Sequence, residues 1–272
     1  MNFQTQQYRE IAFATPRVQD IKLSVHDRYS RIPIDMHGEV VRALQLQGDE
    51  SIVDIGCGTG LFLKYLRGQR GHTGPLVGVD FSAGIMEGIR AICQAEGLNI
   101  GFSVCDAETL CFSDSTVDAV SLQHMLSYVP DMDRACKEAG RICKRGGSCV
   151  FTANAMRNYP HIRKYRELAA KLLGWPMIEV NTSRFCVEVM DKVLSPHFSQ
   201  VNITVHEGLL HLPADEFVRW FTSMLDNWHP LPNAEQRQLV LEHLIHEWLP
   251  DDLDDGWILE PKWVGVAACK PH

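Results

Sequence analysis

A chain of 272 residues can form one large domain, or a core with a smaller cap, and either can bury a sizeable apolar interior. Its formal charge of −8 argues against nucleic acid as the main partner, because phosphate binding draws on clustered Lys and Arg. No apolar run reaches the roughly 20 residues that span a bilayer, and the polar stretch 1–10 lacks the basic-then-apolar layout of a signal peptide, so a cytoplasmic protein without a membrane partner is expected.

The segment before Glu50 reads as helical and outside any sheet. Ser51–Ile55 reads as a short apolar strand, and Leu61–Leu66 opens a helix. Pro75–Asp80 is the second strand; the helix after it carries Ile85, Met86, Ile89, Ile92 and Cys93 at spacings of three and four, as a core-facing helix requires. Ile100–Val104 and Thr116–Leu122 follow as third and fourth strands. Asp131–Lys144 is amphipathic through Met132, Ala135, Cys136, Ala139 and Cys143; Gly146-Gly147 stops it, and Ser148–Thr152 is the fifth strand. Strands alternating with helices imply a mostly parallel sheet covered on both faces.

After Asn154 the pattern changes. Helices are expected over Tyr159–Leu173 and Ser183–Leu194, a strand over Val201–His206, helices near Ala214–Leu225 and Ala234–Trp248, and a last strand over Trp263–Cys269. The chain then divides into a helical lid segment (1–49), a ligand-binding core (50–155), a helical cap or substrate region (156–255) with a returning strand near 199–206, and a terminal strand within 256–272. Nine cysteines without a C-x-x-C pair read as free thiols in a reducing compartment.

The strongest local signal is Val53-Asp54-Ile55-Gly56-Cys57-Gly58-Thr59-Gly60, set between a strand and a helix. Glycines let the backbone turn sharply and let a ligand approach where a Cβ would collide. A dinucleotide site uses G-x-G-x-x-G; Leu61 stands where its third glycine would be, leaving G-x-G-x-G, a spacing suited to a nucleoside with an amino-acid tail. Asp80 ends the second strand, where a carboxylate can accept from both ribose hydroxyls, and Asp106 follows the third, where it can accept from an adenine amino group.

The runs VDIGCGTG, GVDFS, CDAETLCF, TVDAVSLQHMLSYVPD and KRGGSCVFTAN together resemble the motif series of class I S-adenosylmethionine (SAM)-dependent methyltransferases over about residues 50–155. HDRYS at 26–30 and SRFCVEVMDKVLSPHFSQV at 183–201 are similar to flanks of small-molecule enzymes related to the ubiquinone and menaquinone methyltransferases. The resemblance implies a Rossmann-like α/β fold: a seven-stranded, mostly parallel sheet with an antiparallel terminal hairpin, helices on both faces and an inserted helical cap. It implies SAM as cofactor and S-adenosylhomocysteine as product. It would place Asp54 and Gly56, Cys57, Gly58 and Gly60 near the methionine part, Asp80 with its neighbours Phe81 and Ser82 on the ribose, and Cys105, Asp106 and Ala107 at the adenine, with Gln123 completing the cofactor set. The chain departs from many relatives at Tyr128, where they have histidine, and at Cys111, where they have proline.

Methyl transfer from a sulfonium is an in-line displacement that needs a closely held acceptor and, for a neutral hydroxyl or protonated amine, a base. His124, just past the fourth strand, is the candidate base and Tyr128 the candidate orienting group. Tyr29 is the candidate lid residue over the cofactor; Arg184 is a candidate contact for an acidic acceptor, and Trp220, with Phe217, Phe221 and Trp228, for an apolar one. His243 and His246 beside Glu247, and the acidic turn 251–255, read as solvated faces rather than metal sites. The expected activity is methyl transfer to a small metabolite on O, N or C. The alternatives are an RNA or protein acceptor, disfavoured by the acidic balance and by Gln123-His124-Met125-Leu126 where an Asn/Asp-Pro-Pro-aromatic tetrapeptide would stand, and a SAM-binding regulatory subunit without transferase activity. Acceptor identity and oligomeric state stay open.

Overall fold

The computed structural model describes residues 17–175, 184–225 and 232–272; Thr182, Ser183, Trp228 and the stretch 1–10 lie outside the described residues. The elements are α1 (Arg17–Tyr29), β1 (Ser30–Ile32), α2 (Met36–Leu44), β2 (Ile52–Ile55), α3 (Leu61–Lys64, continued by a π turn over Tyr65–Gln69), β3 (Leu76–Asp80), α4 (Ala83–Ala95), β4 (Gly101–Val104), β5 (Val117–Gln123), α5 (Met132–Ile142), β6 (Cys143–Asn154), α6 (Pro160–Leu172), α7 (Met190–Leu194), β7 (Gln200–Pro213), α8 (Ala214–Met224), α9 (Ala234–His243) and β8 (Trp257–Lys270).

The chain forms two compact units, one of residues 35–156, 181–206 and 264–272, the other of residues 1–34, 157–180 and 207–263; β7 and β8 each run from one into the other. The larger unit holds the parallel strands. β2 pairs in parallel with β3 on one side and β5 on the other, β3 pairs with β4, and β5 with β6. β8 closes this run antiparallel to β6, with Cys149 opposite Cys269. The order reverses between β2 and β5, which makes their carboxyl ends the switch point where open α/β sheets bind ligands.

Alternation along the strands sends side chains to opposite faces. Val53, Ile55, Val120 and Leu122 enter one apolar cluster with α5 and α7; Ile52 and Ala119 enter another with α2, α3 and α4. Side chains set the helix starts. Ser82 caps α4 by accepting from the Ile85 N–H, and Asp131 caps α5 by accepting from the Arg134 N–H. In the smaller unit, α1, α6, α8 and α9 surround a core of Tyr165, Phe217, Phe221, Leu210 and Leu212.

Three expectations change. The sheet has eight strands, not seven, in the order β1-β7-β8-β6-β5-β2-β3-β4. The extra strand, β1, pairs antiparallel with β7 through Ser30–Leu210 and Ile32–Leu209; Pro33 disfavours helical backbone at Ile32, so the chain leaves α1 extended. The helix expected over Ser183–Leu194 shortens to α7 and one 3-10 turn, Val187–Val189. Cys186 is extended (φ −143°, ψ 171°), and Phe185 is buried with its ring edge-on to Phe151 at 6.5 Å, so packing overrides the helical periodicity. Finally, Gly146-Gly147 does not stop α5 but lies in an irregular opening of β6, where a Cβ on Gly147 would stand 2.6 Å from the Asp118 carbonyl.

Candidate functional site

Parallel register places Asp54 between Gly78 and Ser121. Asp54 and Ser121 point to the same face, and the Ser121 hydroxyl donates to Asp54 Oδ1. The Gln123 amide leans toward the same carboxyl, yet its buried Nε2 completes no well-formed hydrogen bond. Burial pushes Asp54 up to about 7, against the downward pull of Ser121 and Gln123 and with a smaller upward push from Asp80.

The loop after β2 turns back onto β3. Gly56 N–H and Cys57 N–H both donate to the Val79 carbonyl, at 2.8 and 3.0 Å. Gly56 has φ +66°, and a Cβ there would stand 2.8 Å from the Met125 side chain, so both backbone and space demand glycine. At Gly58, φ is +51°, but a Cβ would meet nothing within 4 Å. Gly58 therefore borders open space and donates its N–H to Asp80 Oδ2 at 3.1 Å. Cys57 is half-buried, and burial drives its thiol far above its usual range. Gly60 closes the loop with its N–H on the Cys57 carbonyl and precedes α3.

Asp80, only 8% exposed, also accepts from the Ser82 N–H at 3.0 Å through Oδ1. Burial raises its pKa, opposed by the N–H groups of Ser82, Gly58 and Phe81. A carboxylate offers about four acceptor positions, so this lock leaves capacity for further hydroxyl donors.

Register also sets Val104 beside Asp80, so the next loop starts alongside. Exposed Asp106 accepts from the Glu108 N–H at 3.0 Å, an Asx turn closed by the Asp106–Thr109 bridge. Ala107 is buried beneath it. Cys105 donates to the Thr109 carbonyl at 3.4 Å; burial, with the neighbouring Cys111 thiol, pushes it up to about 11.

His124 follows β5 at φ +52°, an uncommon conformation for a residue other than glycine, and is exposed. Its N–H is held by both the carbonyl and the hydroxyl of Thr152, each at 3.1 Å. Tyr128 is half-buried at the end of the single turn Leu126–Tyr128. Arg184, expected to meet an acidic acceptor, instead donates to the carbonyls of Ser127, Val129 and Pro130 at 2.9, 2.9 and 3.0 Å. It fastens the turn that carries Tyr128.

The larger unit thus brings together Asp54, the glycine loop, Asp80, Phe81, Ser82, the 105–107 turn, Gln123, His124, Tyr128 and Arg184. Tyr29 and Trp220 belong to the smaller unit, where Tyr29 ends α1 and Trp220 is 2% exposed on α8. His243 contacts the Leu239 carbonyl and lies 3.8 Å from Glu247. In the acidic turn, Asp252 accepts from Lys164 and from the Tyr165 hydroxyl, each at 2.5 Å. Sequence reading did not single out Ser121 or Thr152. Ser121 had a signal, a polar residue at an inward position of an otherwise apolar strand end; Thr152 had none, since its part depends on β5–β6 register.

Residues 53–151 match the family model described as a methyltransferase domain. The chain is 28% identical over 153 residues to the demethylmenaquinone methyltransferase of Shouchella clausii, covering 53% of this chain and 65% of that one. It is 33% identical over 160 residues to the ubiquinone/menaquinone biosynthesis C-methyltransferase UbiE of Hahella chejuensis, covering 57% and 61%. It therefore spans less than two thirds of either relative's length. Among solved structures, the YcgJ protein from Bacillus subtilis aligns with a TM-score of 0.58 at 18% identity, over 87% of this chain and 98% of that one; at this identity the likeness is one of fold.

Proposed function

We propose, on the premise that residues 53–151 form a methyltransferase domain of the class I, SAM-dependent kind, that this chain methylates a small-molecule acceptor. The observation that carries the reading is the lock of Asp80 onto Gly58 beside open space. The residues present fit the cofactor: Asp80 keeps acceptor capacity for ribose hydroxyls, Gly58 leaves room that a Cβ would fill, and the Gln123 amide is buried without a completed bond. Bound there, SAM supplies a methyl group on a positively charged sulfur.

The protein's own residues then have separable tasks. Asp54 and the Gly56–Gly60 loop hold the amino-acid part, Asp80 with Phe81 and Ser82 the ribose, and the 105–107 turn the adenine. His124 takes the acceptor's proton where the acceptor is a hydroxyl or protonated amine. Tyr128, fixed by the Arg184-fastened turn, orients the acceptor. The relatives' names refer to demethylmenaquinone and to ubiquinone and menaquinone biosynthesis, which supports a small organic acceptor here.

Titration calorimetry with SAM, S-adenosylhomocysteine and NAD tests the cofactor, and methyl-labelled SAM with a panel of phenols, quinols and amines tests the transfer. The expected result is binding of the first two ligands only and label in a small-molecule product. No binding of SAM sinks the reading; label recovered only in RNA or protein redirects the acceptor class.

A further inference from the structure

Two thiols meet in the larger unit, across the turn that follows β4. The chain doubles back there: the Asp106–Thr109 bridge closes the turn, and the Thr109 N–H donates to the Asp106 carbonyl at 3.0 Å. Half-buried Cys105 donates its S–H to the Thr109 carbonyl at 3.4 Å. Two positions on, Cys111 faces the same sulfur with both its backbone N–H and its thiol, each within hydrogen-bond reach. A proline at position 111, the residue of the related motif, would offer neither group.

Access separates this pair from the other thiols. Of the nine cysteines, Cys111 is the exposed one. Cys143 and Cys149 also face one another, but at 2% and 0% exposure they are shut away from an oxidant. An exposed thiol with a second thiol against it is the arrangement of a redox-sensitive cysteine and its resolving partner. Burial, with Cys111 beside it, raises Cys105 to about 11, which makes it the poorer first target. As the second reactant it already lies against the sulfur it must attack, and contact supplies the proximity.

We propose that Cys105 and Cys111 are a modification site, closing into a reversible disulfide that controls cofactor affinity. The control rests on the methyltransferase reading, which sets adenine on the 105–107 turn; the disulfide does not. The oxidant is a small disulfide such as oxidised glutathione. The Cys111 sulfur bonds to one glutathione sulfur and displaces the other as a thiol. The Cys105 sulfur then bonds to Cys111 and displaces the remaining glutathione. The two cysteine protons end on the two leaving thiols, so two protein thiols are oxidised and one glutathione disulfide is reduced. A disulfide sulfur carries no proton, so the bond from Cys105 to the Thr109 carbonyl is lost and the turn that aims Asp106 is loosened.

The test incubates the full chain with oxidised glutathione and reads peptide masses. The peptide that carries both residues should become two hydrogens lighter, resist alkylation, and recover with dithiothreitol. Cys105→Ser should stop with one glutathione on Cys111, and Cys111→Ser should leave Cys105 unmodified. Glutathione that stays on Cys111 in the wild-type chain, or no reaction there at all, overturns the site without recourse to a variant. Calorimetry with S-adenosylhomocysteine reads the control. Oxidation should weaken binding about 5-fold, the scale of one lost hydrogen bond, and dithiothreitol should restore it; Cys111→Ser should bind equally with and without oxidant. A disulfide formed with unchanged affinity overturns the control. No binding in either redox state is a failure of the methyltransferase reading, while a disulfide read by mass in the same sample still upholds the modification site.

Discussion

Asp80 binds two backbone N–H groups, of Gly58 and Ser82, and through them fixes the glycine loop to the end of β3. Asp80→Ala should weaken SAM binding by roughly 1.5–3 kcal/mol, the cost of losing charge-assisted hydrogen bonds; calorimetry with unchanged affinity would remove Asp80 from the site. Asp54 makes a prediction about pH. Its folded-state pKa, about 7, lies above the ordinary carboxyl value of 3.8. Such a group holds its proton more tightly when folded, so its contribution to stability is complete below about pH 4 and is lost as pH rises through 7. Asp54→Asn does not titrate. Its stability relative to wild type should therefore grow by roughly 2–3 kcal/mol between pH 5 and pH 8 in urea unfolding. A constant difference would show that Asp54 ionises normally in the fold.

The turn after β2 and the turn after β5 meet at Gly56 and Met125. Adding a methyl at Gly56 imposes both a disfavoured φ and an overlap with Met125. Gly56→Ala should cost about 1–3 kcal/mol in thermal unfolding, before any loss of binding. On the other turn, the two bonds from the His124 N–H to Thr152 and the three from Arg184 to the 127–130 backbone set the path. His124→Ala should keep SAM affinity and lose about 10²–10⁴-fold in turnover if the imidazole takes the proton, with one inflection missing from the pH–rate profile. Full activity in that variant leaves positioning as the supported catalytic effect of this element.

At the scale of the molecule, ligand binding and folding are linked. S-adenosylhomocysteine at about 100 times its dissociation constant should stabilise the protein by about 2.7 kcal/mol, and NAD should not. Denaturant midpoints measured with each ligand check this; equal shifts from both would contradict the preference inferred from G-x-G-x-G. Among the described residues, no helix is long and apolar enough to cross a membrane.

What the chain determined locally was legible without a structure. The glycine loop, Asp80 and Asp106 are strand-end and turn residues whose spacing depends on neighbours a few positions away, and β2 to β6 announce themselves by short apolar runs alternating with helical periodicity. Tertiary structure decided the rest, because it depends on which distant segments meet. The hydroxyl of Ser121 reaches Asp54 across 67 residues only because β2 and β5 are parallel neighbours. Arg184 reads as a candidate contact for an acidic acceptor until backbone 54–57 positions away offers it three carbonyls. β1 is three residues long and gains its partner from β7, some 180 positions on. His26 on α1 meets Tyr159, 133 positions on, and Lys262, 236 positions on. No local propensity encodes such a pairing; burial and register, acting over the whole chain, create it.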